Sequence, residues 1–92
     1  MTTEQLRRIN KIVKHYGAEH QMEKAIEECK ELIAEIVPAI DGLGFVENIV
    51  DEIADVEVMI NQLKIIFDCF GEVEERIDYK INRQLERIKK EV

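Results

Sequence analysis

Residues 46–70 read VENIVDEIADVEVMINQLKIIFDCF, and this stretch decides the fold. Ile49, Ile53, Val56, Ile60, Leu63 and Phe67 recur at spacings of three and four, the period of an α-helix with one apolar stripe. Ala54, Val58, Ile65 and Cys69 form a second apolar face roughly opposite the first. A helix that is apolar on two sides needs two layers of neighbours. In a chain of 92 residues, too short for a second core, another copy of the protein is the simplest second layer. The expectation is therefore a homodimer or homotetramer assembled through this third helix.

The same period continues on both sides. Residues 3–16 carry Leu6, Ile9, Ile12, Val13 and Tyr16 on one stripe, with Thr2 and Gln5 placed as a capping box and Gly17 as the stop. Residues 18–37 carry Met22, Ala25, Ile26, Cys29, Leu32, Ile33, Ile36 and Val37. Pro38 disfavours helical geometry at Val37, and Asp41-Gly42-Leu43-Gly44 supplies a loop. Gly71 is expected to break the chain after Phe70, and a fourth helix from Glu72 buries Val73, Ile77, Ile81, Leu85, Ile88 and Val92. Four Gly and one Pro are too few for the many turns of an all-β fold. The prediction is a single all-α domain over residues 1–92, a four-helix bundle.

Several classes of function fall away on composition. No run of about 18 apolar residues is present to span a membrane. Met1-Thr2-Thr3-Glu4-Gln5-Leu6 lacks a basic segment followed by an apolar block, so no secretory signal is expected. Cys29 and Cys69, without CxxC spacing, read as packed, reduced thiols of a cytoplasmic protein. The net charge of −7 disfavours binding to a nucleic-acid polymer. Its distribution is uneven: residues 19–57 hold twelve acids against two bases, whereas residues 76–90 hold six bases against two acids.

The acids are patterned. Gln21, Lys24, Glu28, Glu31 and Glu35 fall on one stripe of the second helix, read as lying away from the core. Glu52 and Asp55 lie three apart on the third helix. If these helices form an antiparallel hairpin, Glu28 and Glu31 meet Glu52 and Asp55, and four carboxylates surround one point. Such a cluster is repulsive unless a cation fills it, and all-oxygen ligation suits Mg²⁺ or Mn²⁺. Arg76, Lys80, Arg83, Arg87 and Lys90 form a basic row on the fourth helix. A carboxylate-held cation beside a basic row is the pairing a triphosphate requires. The competing reading is a non-enzymatic helical interaction protein whose acids and bases merely solvate its outside.

Glu27-Glu28-Cys29-Lys30-Glu31, followed after twenty residues by Glu52-Ile53-Ala54-Asp55, resembles the EExxE…ExxD signature of the MazG-like all-α nucleotide pyrophosphohydrolases. Gln21-Met22-Glu23-Lys24 before the first motif, Leu32-Ile33 after it, and the run Asn48 to Val56 are similar as well, so the likeness spans about residues 16–87. The resemblance implies Mg²⁺-dependent hydrolysis of a nucleoside or deoxynucleoside triphosphate to the monophosphate and pyrophosphate. It implies Glu28, Glu31, Glu52 and Asp55 as metal ligands, with Glu27 behind them or orienting the attacking water. Lys80, Asn82 and Arg83 would contact phosphate and sugar, and Gln21 and Lys24 would face the nucleotide. Phosphoribosyl-ATP pyrophosphatase, of the same superfamily, is the alternative within this chemistry. A di-iron carboxylate site fails, because neither His15 nor His20 follows a Glu by three residues.

Overall fold

A computed structural model describes residues 1–91, and among these every element is helical: α1 (Thr3–Tyr16), α2 (Ala18–Ile40), α3 (Val46–Phe67) and α4 (Phe70–Lys90). The α1 capping box is present in full. Gln5 N–H donates to Thr2 Oγ1 at 3.1 Å, and Thr2 N–H to Gln5 Oε1 at 2.9 Å. A cap of this kind contributes about 0.5–2 kcal/mol to a helix start. Gly17, at φ +90°, ends α1 and opens α2 in a conformation that a residue with a Cβ rarely adopts.

Two boundaries differ from the sequence reading. Helix α2 does not stop at Val37 but carries Pro38 within its last turn and ends at Ile40. The Pro38 carbonyl accepts from the N–H groups of Asp41 at 3.1 Å and Leu43 at 3.0 Å, so the loop closes on the proline itself. The break between α3 and α4 falls at Asp68, not Gly71. Asp68 takes the left-handed conformation (φ 49°, ψ 54°) and Cys69 N–H reaches back to the Lys64 carbonyl at 3.1 Å. This is a helix end of the kind glycine usually provides, and Asp tolerates it because its side chain is short and polar. Gly71 sits in the first turn of α4.

Helices α2 and α3 form the expected hairpin and α1 packs against both. Ile9, Ala25, Val56 and Met59 are the buried apolar residues, joined by Gln21, Glu28 and Gln62. The face that α2 turns inward is the stripe Gln21, Ala25, Glu28, Leu32 and Glu35. Gln21, Glu28 and Glu35 of the polar stripe expected to lie away from the core are thus in the helix seam, whereas Glu31 is exposed. Conversely, Ile26, Ile33, Ile36 and Val37 of the expected core stripe are exposed, and so is Cys29. Helix α3 behaves alike: Val56 is buried, Ile49 and Leu63 are half-buried, but Ile53, Ile60 and Phe67 face outward. On its second face Ala54 is exposed and Val58, Ile65 and Cys69 are half-buried. Val58 shares a hollow with Ile9 and Ile12, so α1 of the same chain supplies part of that layer.

Helix α4 corrects the expectation most. Among the described residues it packs against α3 and against neither α1 nor α2. Val73 is half-buried, whereas Ile77, Ile81, Leu85 and Ile88 are exposed rather than buried. Val92 lies outside the described residues. The molecule is elongated, 50 × 34 × 23 Å, with α4 as an amphipathic arm. No helix among the described residues is long and apolar enough to cross a membrane.

Candidate metal centre in the α2–α3 seam

Residues 21, 25, 28, 32 and 35 of α2 lie on one side of a helix, as do residues 52, 55, 59 and 62 of α3. Packing these sides together puts Glu28 opposite Glu52 and Asp55. One carboxylate oxygen from each of the three lies within 4.8 Å of the others, and Glu27, Glu28 and Glu31 make a second trio of the same size. Glu28 belongs to both. It is 8% exposed, Glu52 is half-buried, and Glu27, Glu31 and Asp55 are open to solvent.

Lys24, one turn before Glu28, is the cation paired with this group. Its ammonium stands 3.3 Å from Glu28 Oε1 and 3.4 Å from Glu27 Oε1. The hydrogen bond to Glu28 and then the charge of Glu27 raise the Lys24 pKa, so the ammonium form is favoured. One lysine against five carboxylates leaves the site strongly negative. The carboxyl groups respond. Burial raises the pKa of Glu52, and the charges of Glu31, Asp55, Glu28 and Glu35 add to it. Burial likewise raises that of Asp55, with Glu28 adding through its charge and a hydrogen bond, then Asp51, while Lys24 opposes.

Glu28 Oε2 and Glu52 Oε2 are buried and have no hydrogen-bond partner among the described residues. A buried carboxylate oxygen without a partner is unfavourable, and the two on facing helices offer acceptor positions that a ligand could fill. The donor set is entirely oxygen and its charge is negative, which fits a hard divalent cation such as Mg²⁺ or Mn²⁺.

The remaining sequence candidates are placed as follows. Gln21 is buried, its Nε2 donating to Gln62 Oε1 at 2.7 Å, while its Oε1 lies 2.6 Å from His20 Nδ1. Its amide is therefore engaged in the seam. Gln62, 2% exposed, escaped the sequence reading. The available signal was its register, because Glu52, Asp55 and Gln62 share one side of α3. Lys80, Asn82 and Arg83 are exposed on α4, which does not pack on α2, so a single chain does not bring them to the carboxylates. On the same helix Tyr79 lies between Arg76 and Arg83, whose guanidinium carbons are 4.6 and 5.9 Å from its ring centre. Tyr16 stacks on His20 with ring centres 4.9 Å apart.

No family model, curated protein or solved structure matches this chain.

Proposed function

We propose that this chain is a divalent-metal-dependent nucleotide pyrophosphohydrolase, cleaving a nucleoside or deoxynucleoside triphosphate to the monophosphate and pyrophosphate. The observation that carries the reading is the pair of buried, unpartnered oxygens, Glu28 Oε2 and Glu52 Oε2, within a carboxylate cluster that has one lysine to balance it. Glu28, Glu31, Glu52 and Asp55 would hold Mg²⁺ or Mn²⁺. A divalent cation there supplies polarisation of phosphoryl oxygens, acidification of water and charge neutralisation of a polyphosphate.

The chain's own residues do the rest. Glu27, exposed at the edge of the cluster, accepts a hydrogen bond from the attacking water and so aims its oxygen at the phosphorus. A new P–O bond forms there as the anhydride P–O bond breaks and pyrophosphate departs. Lys24, half-exposed beside Glu27 and Glu28, offers its ammonium to a phosphate oxygen. Lys80, Asn82 and Arg83 serve phosphate and sugar if assembly of copies, as a homodimer or homotetramer, carries α4 toward the carboxylates of another chain.

The test is incubation with Mg²⁺ and a panel of nucleoside and deoxynucleoside triphosphates, assaying pyrophosphate and monophosphate separately, beside the Glu28→Gln/Asp55→Asn variant. Stoichiometric monophosphate and pyrophosphate, lost in the variant, is the expected result. Silence on the panel and on phosphoribosyl-ATP overturns the proposal.

A further inference from the structure

Lys24 stands among the acids with its charge turned toward them. Its ammonium contacts one oxygen of Glu28 and one of Glu27, and its charge reaches Asp55 across the seam. Glu28 is common to both carboxylate trios, so the lysine holds the one group that the two share. The pairing serves the helix itself poorly. A lysine four residues before a glutamate is the less favourable order, because the reverse order agrees with the helix dipole. The Lys24 side chain is 42% exposed, and ion pairs open to water are weak. Its hold on Glu28 is also partial: Oε1 is engaged, whereas Oε2 is buried without a partner. A divalent cation on Oε2 and an ammonium on Oε1 would share one carboxylate, close enough for like charges to disfavour one another. The comparison favours the metal, which carries twice the charge and is ligated directly by carboxylate oxygen. The lysine, on a flexible four-carbon stem, can swing away.

We infer that Lys24 is the counter-ion of the metal-free seam and gives up Glu28 when a divalent cation binds there. The inference rests on the reading of the seam as a metal site and deepens it. Without metal, Lys24 offsets part of the repulsion among Glu27, Glu28 and Asp55. With metal, its ammonium is released from Glu28 and is free to meet an anionic ligand. The charge assigned above to a phosphate oxygen therefore becomes available as the site is loaded, and metal and phosphate are coupled through one side chain. The cost of that coupling is competition, since Lys24 weakens the very metal binding that frees it.

Mg²⁺ alone, without nucleotide, is the probe. Calorimetric titration of the full chain compares the wild type with Lys24→Met and Lys30→Met, at ionic strength matched with NaCl and with helix content followed by circular dichroism. Lys30 is exposed beside Ile26 and Ile33 on another side of α2, so its loss changes the net charge equally without touching the pair. Lys24→Met is expected to bind Mg²⁺ about fivefold more tightly, the scale of one exposed ion pair, and Lys30→Met to stay near the wild type. Unchanged or weaker binding by Lys24→Met, or an equal gain in Lys30→Met, overturns the inference and leaves the metal site standing. A wild type that binds no Mg²⁺ removes the metal reading and this inference with it. Should Lys24→Met fail to fold, the wild type decides. Acylation of Lys24 by limiting acetic anhydride, read by mass spectrometry, is expected to quicken on adding Mg²⁺ while that of Lys30 does not. A Lys24 rate indifferent to Mg²⁺ overturns the inference.

Discussion

Adding Mg²⁺ should stabilise this protein strongly, and through particular oxygens. In the folded chain Glu28, Glu52 and Asp55 present oxygens within 4.8 Å of one another. In the unfolded chain residues 28 and 52 are separated by a flexible connection and the site does not exist. A cation that binds the folded state alone, at about a hundred times its dissociation constant, stabilises by about 2.7 kcal/mol. At about 2.1 cal/mol/K per residue, 92 residues unfold with an entropy near 0.19 kcal/mol/K, so the midpoint should rise by about 14 °C. The assay is thermal unfolding across a Mg²⁺ titration, with NaCl matched for ionic strength to remove general screening. Glu28→Gln takes an oxygen from both trios and should abolish the rise. Glu86→Gln, on the exposed face of α4, should leave it intact. A Mg²⁺ effect no larger than that of NaCl would refute the reasoning, and so would a full rise that survives Glu28→Gln.

Two further outcomes follow from the same seam. The pKa values of Glu52 and Asp55 are raised in the folded chain, so folding favours their protonated forms. Their contribution to stability is present in full below the ordinary carboxylate range and is lost as pH rises through the higher, folded values. The metal-free protein should therefore gain stability as pH falls through the raised folded values into the ordinary carboxylate range, and Glu52→Gln/Asp55→Asn should flatten that limb when unfolding is measured against pH. The buried Gln21–Gln62 hydrogen bond gives a separate prediction. Gln21→Ala leaves Gln62 Oε1 without its donor in a residue 2% exposed and should cost about 1–3 kcal/mol in denaturant unfolding, whereas Gln21→Met/Gln62→Met should cost much less; equal losses would show that the hydrogen bond is immaterial.

Much of the fold was legible because it depends on short-range rules. The capping box of Thr2 and Gln5, the stop at Gly17 and the loop at residues 41–44 are local chemistry, and the structure has each in place. The α3 end was misplaced because Gly71 is the usual breaker and Asp68 an unusual one, chosen by hydrogen bonds from Asp68 and Cys69 back to Ile65 and Lys64. Pro38 was read as a terminator, yet a proline in the last turn forfeits one hydrogen bond near an end where carbonyls are already unpaired. The meeting of Glu28 with Glu52 and Asp55 was legible from spacing plus a hairpin. Gln62 was not, since a glutamine at helical spacing looks like surface until its partner is known.

The deeper error concerned which side of α2 is inside. An apolar stripe beside an acidic one was assigned to the core on the rule that oil is buried and charge is solvated. That rule does not decide between two stripes carried by one helix. The stripes of α2 point about a quarter-turn apart, so α3 can cover one of them, and it covers the acids: Glu28 is buried while Ile26 and Ile33 are open. Taken alone, this arrangement is unfavourable twice, since it crowds carboxylates and wets isoleucines. The cation proposed above would remedy the first of these defects. An ion bound between Glu28, Glu52 and Asp55 would give that placement a physical reason, which a merely solvated acidic face does not have.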